Sequence, residues 1–342
     1  MSQVGATTIE HGSTRGTVAR AKLASFIQRQ GALIALLLVC VVAALRYERF
    51  LTDANLTNVL RQNSWPGLVA LGMTFVILTG GIDLSVGSLL AVAGVVAAYL
   101  SGQGLIVGLL AGVGVATVLG LINGVVIAKA RIQPFIVTLA MMIAARGLAL
   151  VVTGEDSVPV SRQATDFAWL GQGSLATLYI PGINFDFPLY IPVLILIAAF
   201  VVGWVVLNHT RFGRHVFALG DNEEAARLMG LNVNRTTIGV YTLSGAMAGL
   251  AGVILASRQG TGQPTAGVGA ELDAIAAVVV GGTLLTGGQG GVGSTLVGVL
   301  LLGVIYNLFN LEGTISSWWQ WVLRGVFLLA VVIVQNRLSA RK

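Results

Sequence analysis

Fourteen carboxylates, three histidines and a single cysteine are the groups this chain offers for acid–base, nucleophilic or metal chemistry. Their spacing serves none of these. No H-E-x-x-H occurs, and His11, His209 and His215 all fall outside the apolar stretches. Cys40 has no partner cysteine, so neither an intrachain disulfide nor a cysteine metal cluster can form. A Walker A loop ends in Gly-Lys-Ser/Thr so that its lysine reaches the nucleotide phosphates. None of Lys22, Lys129 and Lys342 follows a glycine, so the chain lacks that device. No catalytic constellation and no metal site is expected.

Polar groups inside apolar surroundings are the more informative ones, because charge in a membrane is expensive and usually functional. Asp83 stands in GGIDLSVGS (80–88), where two glycines interrupt helix. As part of a broken helix beside a pathway, Asp83 and Ser85 would supply polar atoms. As a cap, the same carboxylate would hold the start of the next helix, with Ser85 and Ser88 in its first turns. Both roles are compatible. Asn123, Thr138 and Asn307, like Asn63 and Gln133, are uncharged polar groups that suit a hydroxyl-rich ligand. Interhelical hydrogen bonding is their commoner use. Asp83, Ser85, Asn123, Thr138 and Asn307 form the candidate pathway set. Arg146 and Arg324 each precede a glycine within an apolar segment, and must find backbone carbonyls or a carboxylate, or snorkel.

The second informative stretch is 208–235, NHTRFGRHVFALGDNEEAARLMGLNVNR. Asp221 or Asn222 can cap a helix, Glu223 and Glu224 favour its positive end, and Gly230 can stop it. The helix 223–229 is too short to stand alone in water. It puts Ala225, Leu228 and Met229 on one face. Such a helix needs something to dock on: a partner, its own bundle or the lipid interface.

Composition tells what must position these residues. Of 342 residues, 55% are hydrophobic and 10% charged, and mean hydropathy is +0.86. Soluble domains average about 25% charged. A cytosolic enzyme, a secreted domain and a disordered chain are excluded. Ten apolar segments follow along the chain: 31–45, 59–79, 84–100, 104–128, 135–153, 188–207, 238–256, 272–286, 292–308 and 318–334. At about 20 residues per crossing, the expectation is an all-α polytopic membrane protein of about ten transmembrane helices. Glycines such as Gly94, Gly108, Gly112, Gly120 and Gly124 would let helices approach closely. A short echo links TGG at 79–81 with VGS at 86–88, and TGG at 286–288 with VGS at 292–294.

Lysine and arginine set the orientation. With the N-terminus inside, thirteen fall in inside loops and tails and five outside. Both termini are therefore expected in the cytoplasm. The expected domains are a cytoplasmic tail 1–30, a transmembrane domain 31–337 and a tail 338–342. Within the second lie an outer loop 154–187 and a cytoplasmic loop 208–235. No cleavable leader is expected. The net charge of +6 is spread too thinly for a nucleic-acid surface.

Glu224-Ala225-Ala226, then three residues and Gly230, resembles the EAA-type loop of ABC importer permeases. GGIDLSVGS at 80–88, TRFGRHVFALGDNEEAARLMG at 210–230 and ELDAIAAVVVGGTLLTGGQGGVGS at 271–294 extend the resemblance to ribose-, xylose- and arabinose-type bacterial sugar importers. It runs from about residue 55 to the C-terminus, while the N-terminal tail carries no family motif. GVGAELDAIAAVVVGGTLLTGG and EGTISSWW are most similar to a galactofuranose importer permease. The resemblance implies a multi-pass inner-membrane permease subunit that moves a monosaccharide and is not itself an enzyme. It implies four kinds of neighbour: an ABC ATP-binding subunit holding ATP and Mg, a periplasmic sugar-binding protein, a second permease chain (identical or paralogous) and membrane lipid. It also implies that Asp221, Asn222, Glu223, Glu224, Ala225, Ala226, Leu228, Met229 and Gly230 form the ATPase-coupling helix. The competing reading is an ion-coupled secondary transporter of a small polar solute, for which Asp83 is the lone candidate carboxylate.

Overall fold

The computed structural model describes residues 14–180 and 185–313, with side chains from residue 30, and isolated positions between 318 and 333. The chain opens with α1 (Thr14–Arg46), which begins well before residue 31. The polar half of that helix was expected as a tail. Nothing breaks it: no proline intervenes, and Ala, Arg, Lys, Leu and Gln are good helix formers.

The segment expected at 59–79 is two helices, α2 (Asp53–Gln62) and α3 (Ser64–Leu78). They part at Asn63, whose amide donates back to the Val59 carbonyl at 2.7 Å. Then come α4 (Val86–Leu100), continued by a 3-10 turn, α5 (Leu105–Ala130) and α6 (Pro134–Thr153). Pro134 sits in the first turn of α6, where its missing N–H leaves no bond unmade.

The outer loop expected at 154–187 is built rather than bare. It holds β1 (Val158–Pro159), α7 (Thr165–Gln172), β2 (Ser174–Ile180) and β3 (Phe185–Tyr190), the last two paired antiparallel. The Asp166 carboxylate accepts the N–H groups of Leu105, at the start of α5, and Phe167, each at 2.9 Å. Those bonds hold its carboxyl below the usual range.

Next come α8 (Ile191–His209), α9 (Arg211–Asp221), α10 (Glu223–Leu228) and α11 (Val233–Gln259). The chain continues through β4 (Thr261–Gly262), which pairs with β1, to α12 (Ala270–Val280) and α13 (Val292–Glu312). Among the described residues, six helices are long and apolar enough to cross a membrane: α4 with its 3-10 turn, α5, α6, α8, α11 and α13. The segment 318–334 and Arg324 lie largely outside the described residues.

The segment expected at 272–286 differs in form: its helix is α12, Ala270–Val280, and the chain before it is non-helical. At 11 residues, α12 spans about 16 Å, roughly half of a 30 Å hydrocarbon layer. Before it, the chain descends along α4. Gly262 lies against Gly94, Val95 and Ala98, and Gly267 against Gly87 and Leu90. This descent covers about eight residues of helix, or 12 Å. On the other side Gly298 faces the Ala277 carbonyl and Gly281 faces Ser294, a register that sets Asp273 near the middle of α13. Residues 261–280 therefore run from the β1–β4 end to the 281–291 turn as a non-helical half followed by a half-helix. Asp273 stands opposite the middle of α13, and Glu271 lies beside Gly87. A run of apolar residues reads alike whether all of it is helical or half of it is not.

The turns sort onto two ends. Gly288 donates to the Leu78 carbonyl at 3.0 Å, and Gly220 packs on the same carbonyl, gathering the 79–85, 210–232 and 281–291 turns. At the other end Ser161 N–H meets Ser101 Oγ at 2.9 Å and Gly171 N–H meets Ser257 Oγ at 2.7 Å.

The centre of the bundle is α11, packed on α3, α4 and α5 through glycine. A Cβ on Gly120 would come 2.5 Å from the Tyr241 carbonyl oxygen, and one on Gly252 would come 2.1 Å from that of Leu90. Gly114, on the same helix as Gly120, has nothing within 4 Å of its Cβ position. Gly120→Ala is therefore expected to destabilise by about 1–3 kcal/mol, as overpacked cores do. Gly114→Ala should be neutral or stabilising by up to about 1 kcal/mol. Thermal unfolding of both variants in detergent checks this contrast. Equal shifts would refute it.

Candidate functional site

Between α3 and α4 the chain turns inside the protein, and the fully buried Asp83 fills that turn. Its Oδ1 accepts the Ser85 N–H at 3.0 Å and the Ser85 hydroxyl at 2.6 Å. Its Oδ2 accepts the Ser244 hydroxyl, from the middle of α11, at 2.8 Å. Asn123 on α5 donates to Ser85 Oγ at 3.0 Å. Thr138 on α6 donates to the Ile82 carbonyl at 3.3 Å, and to Pro134 of its own helix at 2.9 Å. Asp83, Ser85, Asn123 and Thr138 are each fully buried, at 0% exposure, so this hub binds three helices, α5, α6 and α11, to one turn. The Asn123 carbonyl oxygen and the Tyr241 hydroxyl, packed beside Gly81, stay without a partner inside it.

Four of the five pathway candidates thus come together. Asn307 does not. It exchanges hydrogen bonds with Asn55 at 2.8 and 3.1 Å, tying α13 to α2 at the other end. Ser244 and Tyr241 were not singled out in the sequence, because a serine in a Gly/Ala run and an aromatic at helical spacing read as packing. The one available signal was that Ser244 is the lone hydroxyl in SGAMAG.

The short helix falls where the sequence puts it. Asn222 is its cap, accepting the Ala225 N–H at 2.9 Å, while Asp221 closes α9. Gly230 has φ +81°, a left-handed conformation that glycine adopts without strain, and Leu231 N–H returns to the Ala226 carbonyl at 3.1 Å. Glu223 and Arg227 pair at 2.8 Å on its surface. Ala226 is the one residue of α10 buried against the body. Ala225 is exposed, and Leu228 and Met229 project at 85% and 69% exposure. The expected apolar face therefore exists and is not packed on its own bundle. The preceding helix α9, unforeseen in the sequence, carries this knob. Gly213 packs on the Leu207 carbonyl and Gly220 on that of Leu78.

A cavity of about 400 Å³ separates α10 from the hub. Thr79, Gln133, Glu223, Arg227, Thr237 and Tyr241 line it. Elsewhere, Arg146 donates from Nη1 to the carbonyls of Pro264 and Ala266 at 2.5 and 2.7 Å, the backbone option among its expected partners. No group of three or more metal-ligating side chains occurs among the described residues.

Over residues 55–332 the chain matches the family described as the branched-chain amino acid transport system / permease component. It is 44% identical over 317 residues to the ribose import permease protein RbsC of Escherichia coli (strain K12), spanning 92% of this chain and 95% of RbsC. RbsC of Bacillus subtilis (strain 168) is 42% identical over 316 residues, spanning 92% and 94%. The L-arabinose ABC transporter permease protein AraH of Azospirillum brasilense is 39% identical over 327 residues, spanning 95% and 92%. No solved structure matches. With membrane-length helices and this similarity over most of its length, the chain belongs to the ABC-importer permease family, as a multi-pass inner-membrane transport subunit and not an enzyme.

Proposed function

We propose that this permease imports a monosaccharide, with a ribose-type pentose as cargo, and that α10 couples it to a separate ATP-hydrolysing subunit. The observation that carries the coupling is the exposed trio Ala225, Leu228 and Met229 on a capped helix whose other face is buried. Apolar side chains left projecting together from a rigid stub mark a docking surface. ATP and Mg would bind the partner ATPase, and this chain needs no cofactor. ATP binding would close the ATPase pair and push α10. Through α9, that push would reach Leu78 and the Asp83 turn, since Gly220 rests on the Leu78 carbonyl. Asp83, Ser85, Asn123 and Thr138 would serve the pathway by holding its wall, and Asn307 by fastening α13. A periplasmic binding protein would deliver the sugar, and a second permease chain, identical or paralogous, would complete the channel. Ten crossings with both termini in the cytoplasm accord with the arginine and lysine distribution and with the sorting of turns onto two ends. The identities to ribose permeases favour ribose over arabinose as cargo.

Leu228→Asp should reduce copurification of the ATPase and sugar uptake together, because it puts a charge on the docking face. Gly230→Val, which forces a branched residue into a left-handed turn at about 1–2 kcal/mol, should weaken both as well. Normal uptake with intact ATPase binding in both variants would remove α10 from its role. In a Cys40→Ser background, Glu224→Cys should react with a membrane-impermeant thiol reagent only from the cytoplasmic side, and labelling of intact cells would invert the topology. Titration of the partner binding protein with ribose, xylose, arabinose and galactofuranose should give tightest binding to ribose. A preference for galactofuranose would reassign the cargo.

A further inference from the structure

Non-helical backbone at membrane depth survives only where protein covers it or water lies beside it, because hydrocarbon cannot satisfy its N–H and C=O groups. The descent 261–269 is such a stretch; among the described residues α4 covers one side of it and Trp321 reaches its end at Gly269. The covered side lies on α4, through Gly262 and Gly267. On the other, Thr265 and Val268 are exposed, Leu272 is exposed, and Gln263, Gly267, Gly269 and Glu271 are partly so. The exposed faces of α5 and α8 look different. They present Val118, Leu121, Ile122, Val201 and Val202, which acyl chains solvate well. Lipid suits those faces and does not suit the non-helical one.

The charges agree. Arg146 is half-buried beside this stretch, and the bonds described for it all leave from Nη1, although a guanidinium carries five N–H donors. Glu271 acts on it electrostatically and stays partly exposed. Asp273 accepts the Tyr306 hydroxyl at 2.9 Å. A guanidinium donor and a carboxyl acceptor, both partly exposed, form a polar patch that hydrocarbon would not solvate.

We propose that residues 263–273, with Arg146, line the aqueous sugar pathway at the middle of the membrane and form its polar constriction. This rests on the reading of the chain as an importer permease. Sugar hydroxyls both donate and accept, so Arg146 and Glu271 together can meet them, and Thr265 offers a neutral hydroxyl beside them. Two or three such contacts orient a sugar without trapping it, as a conduit requires. The buried Asp83 hub stands one layer behind this surface, with Gly87 packed on Gly267 and beside Glu271.

The test uses the complete transporter, with its ATPase and binding protein, in membrane vesicles. In a Cys40→Ala parent, Thr265→Cys is compared with Val118→Cys and Val202→Cys, which lie on the exposed apolar faces of α5 and α8. The probe is a charged, water-soluble methanethiosulfonate. Thr265→Cys should react, and reaction should cut its uptake relative to the same variant untreated, while the two comparators should stay unmodified. Should Thr265→Cys fail to assemble, Val268→Cys replaces it with the same expectation. The proposal is overturned where the pathway cysteine reacts no faster than the comparators, or where its modification leaves uptake unchanged. ATPase-dependent uptake by the parent is measured alongside. Its presence with an inert Thr265→Cys removes only the pathway assignment, and its absence removes the importer reading beneath it.

Discussion

Hydrocarbon offers no hydrogen bonds, so wherever this chain stops being helical within the bundle, some side chain must replace the water that the backbone lost. Among the described residues two such breaks carry a charged side chain, and their repairs are opposite in sign. At 79–85 a carboxylate does the work: Asp83 accepts the N–H of Ser85 and two hydroxyls. At 261–269 a guanidinium does it, as Arg146 donates to two carbonyls. Arg146 is bonded to backbone carbonyls, whereas Asp83 is bonded to one backbone N–H and two hydroxyls.

The two repaired breaks meet. Gly87, in the first turn after Asp83, packs against Gly267 of the second break. Glycine makes that meeting possible, since a Cβ there would come 2.2 Å from the Gly267 carbonyl oxygen. The same residue type brings α11 against α4 and α5. In lipid, where apolar surface alone does not drive helices together, close backbone approach is the main source of cohesion. Mechanical continuity follows from it. Gly220 of α9 rests on the Leu78 carbonyl and on Gly288 beside it, and so touches the 79–85 and 281–291 turns at once.

Much of this was legible in the sequence. The all-helical membrane class followed from charge scarcity, and α10 followed from Asn222, the two glutamates and Gly230, all local signals. The Asp83 cap was legible for the same reason. What stayed hidden was relational. Ser244 matters only because α11 crosses the 79–85 turn, and no local pattern reports a crossing. Residues 272–286 carry enough apolar side chains for a span, and only the neighbours of Gly267 and Gly298 reveal a half-helix. Asn63 hides a helix break inside one apolar run, since its amide simply folds back on Val59. Asn307 was grouped with the pathway by residue type, and its partner Asn55 is 252 residues away in sequence.

The first helix stands apart from this scheme. It lies outside the family match and meets the rest through a small satellite cluster in which Ala43, Phe50 and Val59 pack with Val304 of α13. Synthesis therefore delivers α1 to the bilayer some 250 residues ahead of the helix that receives it. Until then it must survive as a lone passenger among lipids. Its outward Leu37, Leu38, Val41, Val42 and Leu45 make that wait tolerable. Biogenesis can thus begin with an anchor that asks nothing of its neighbours and later clasp α13.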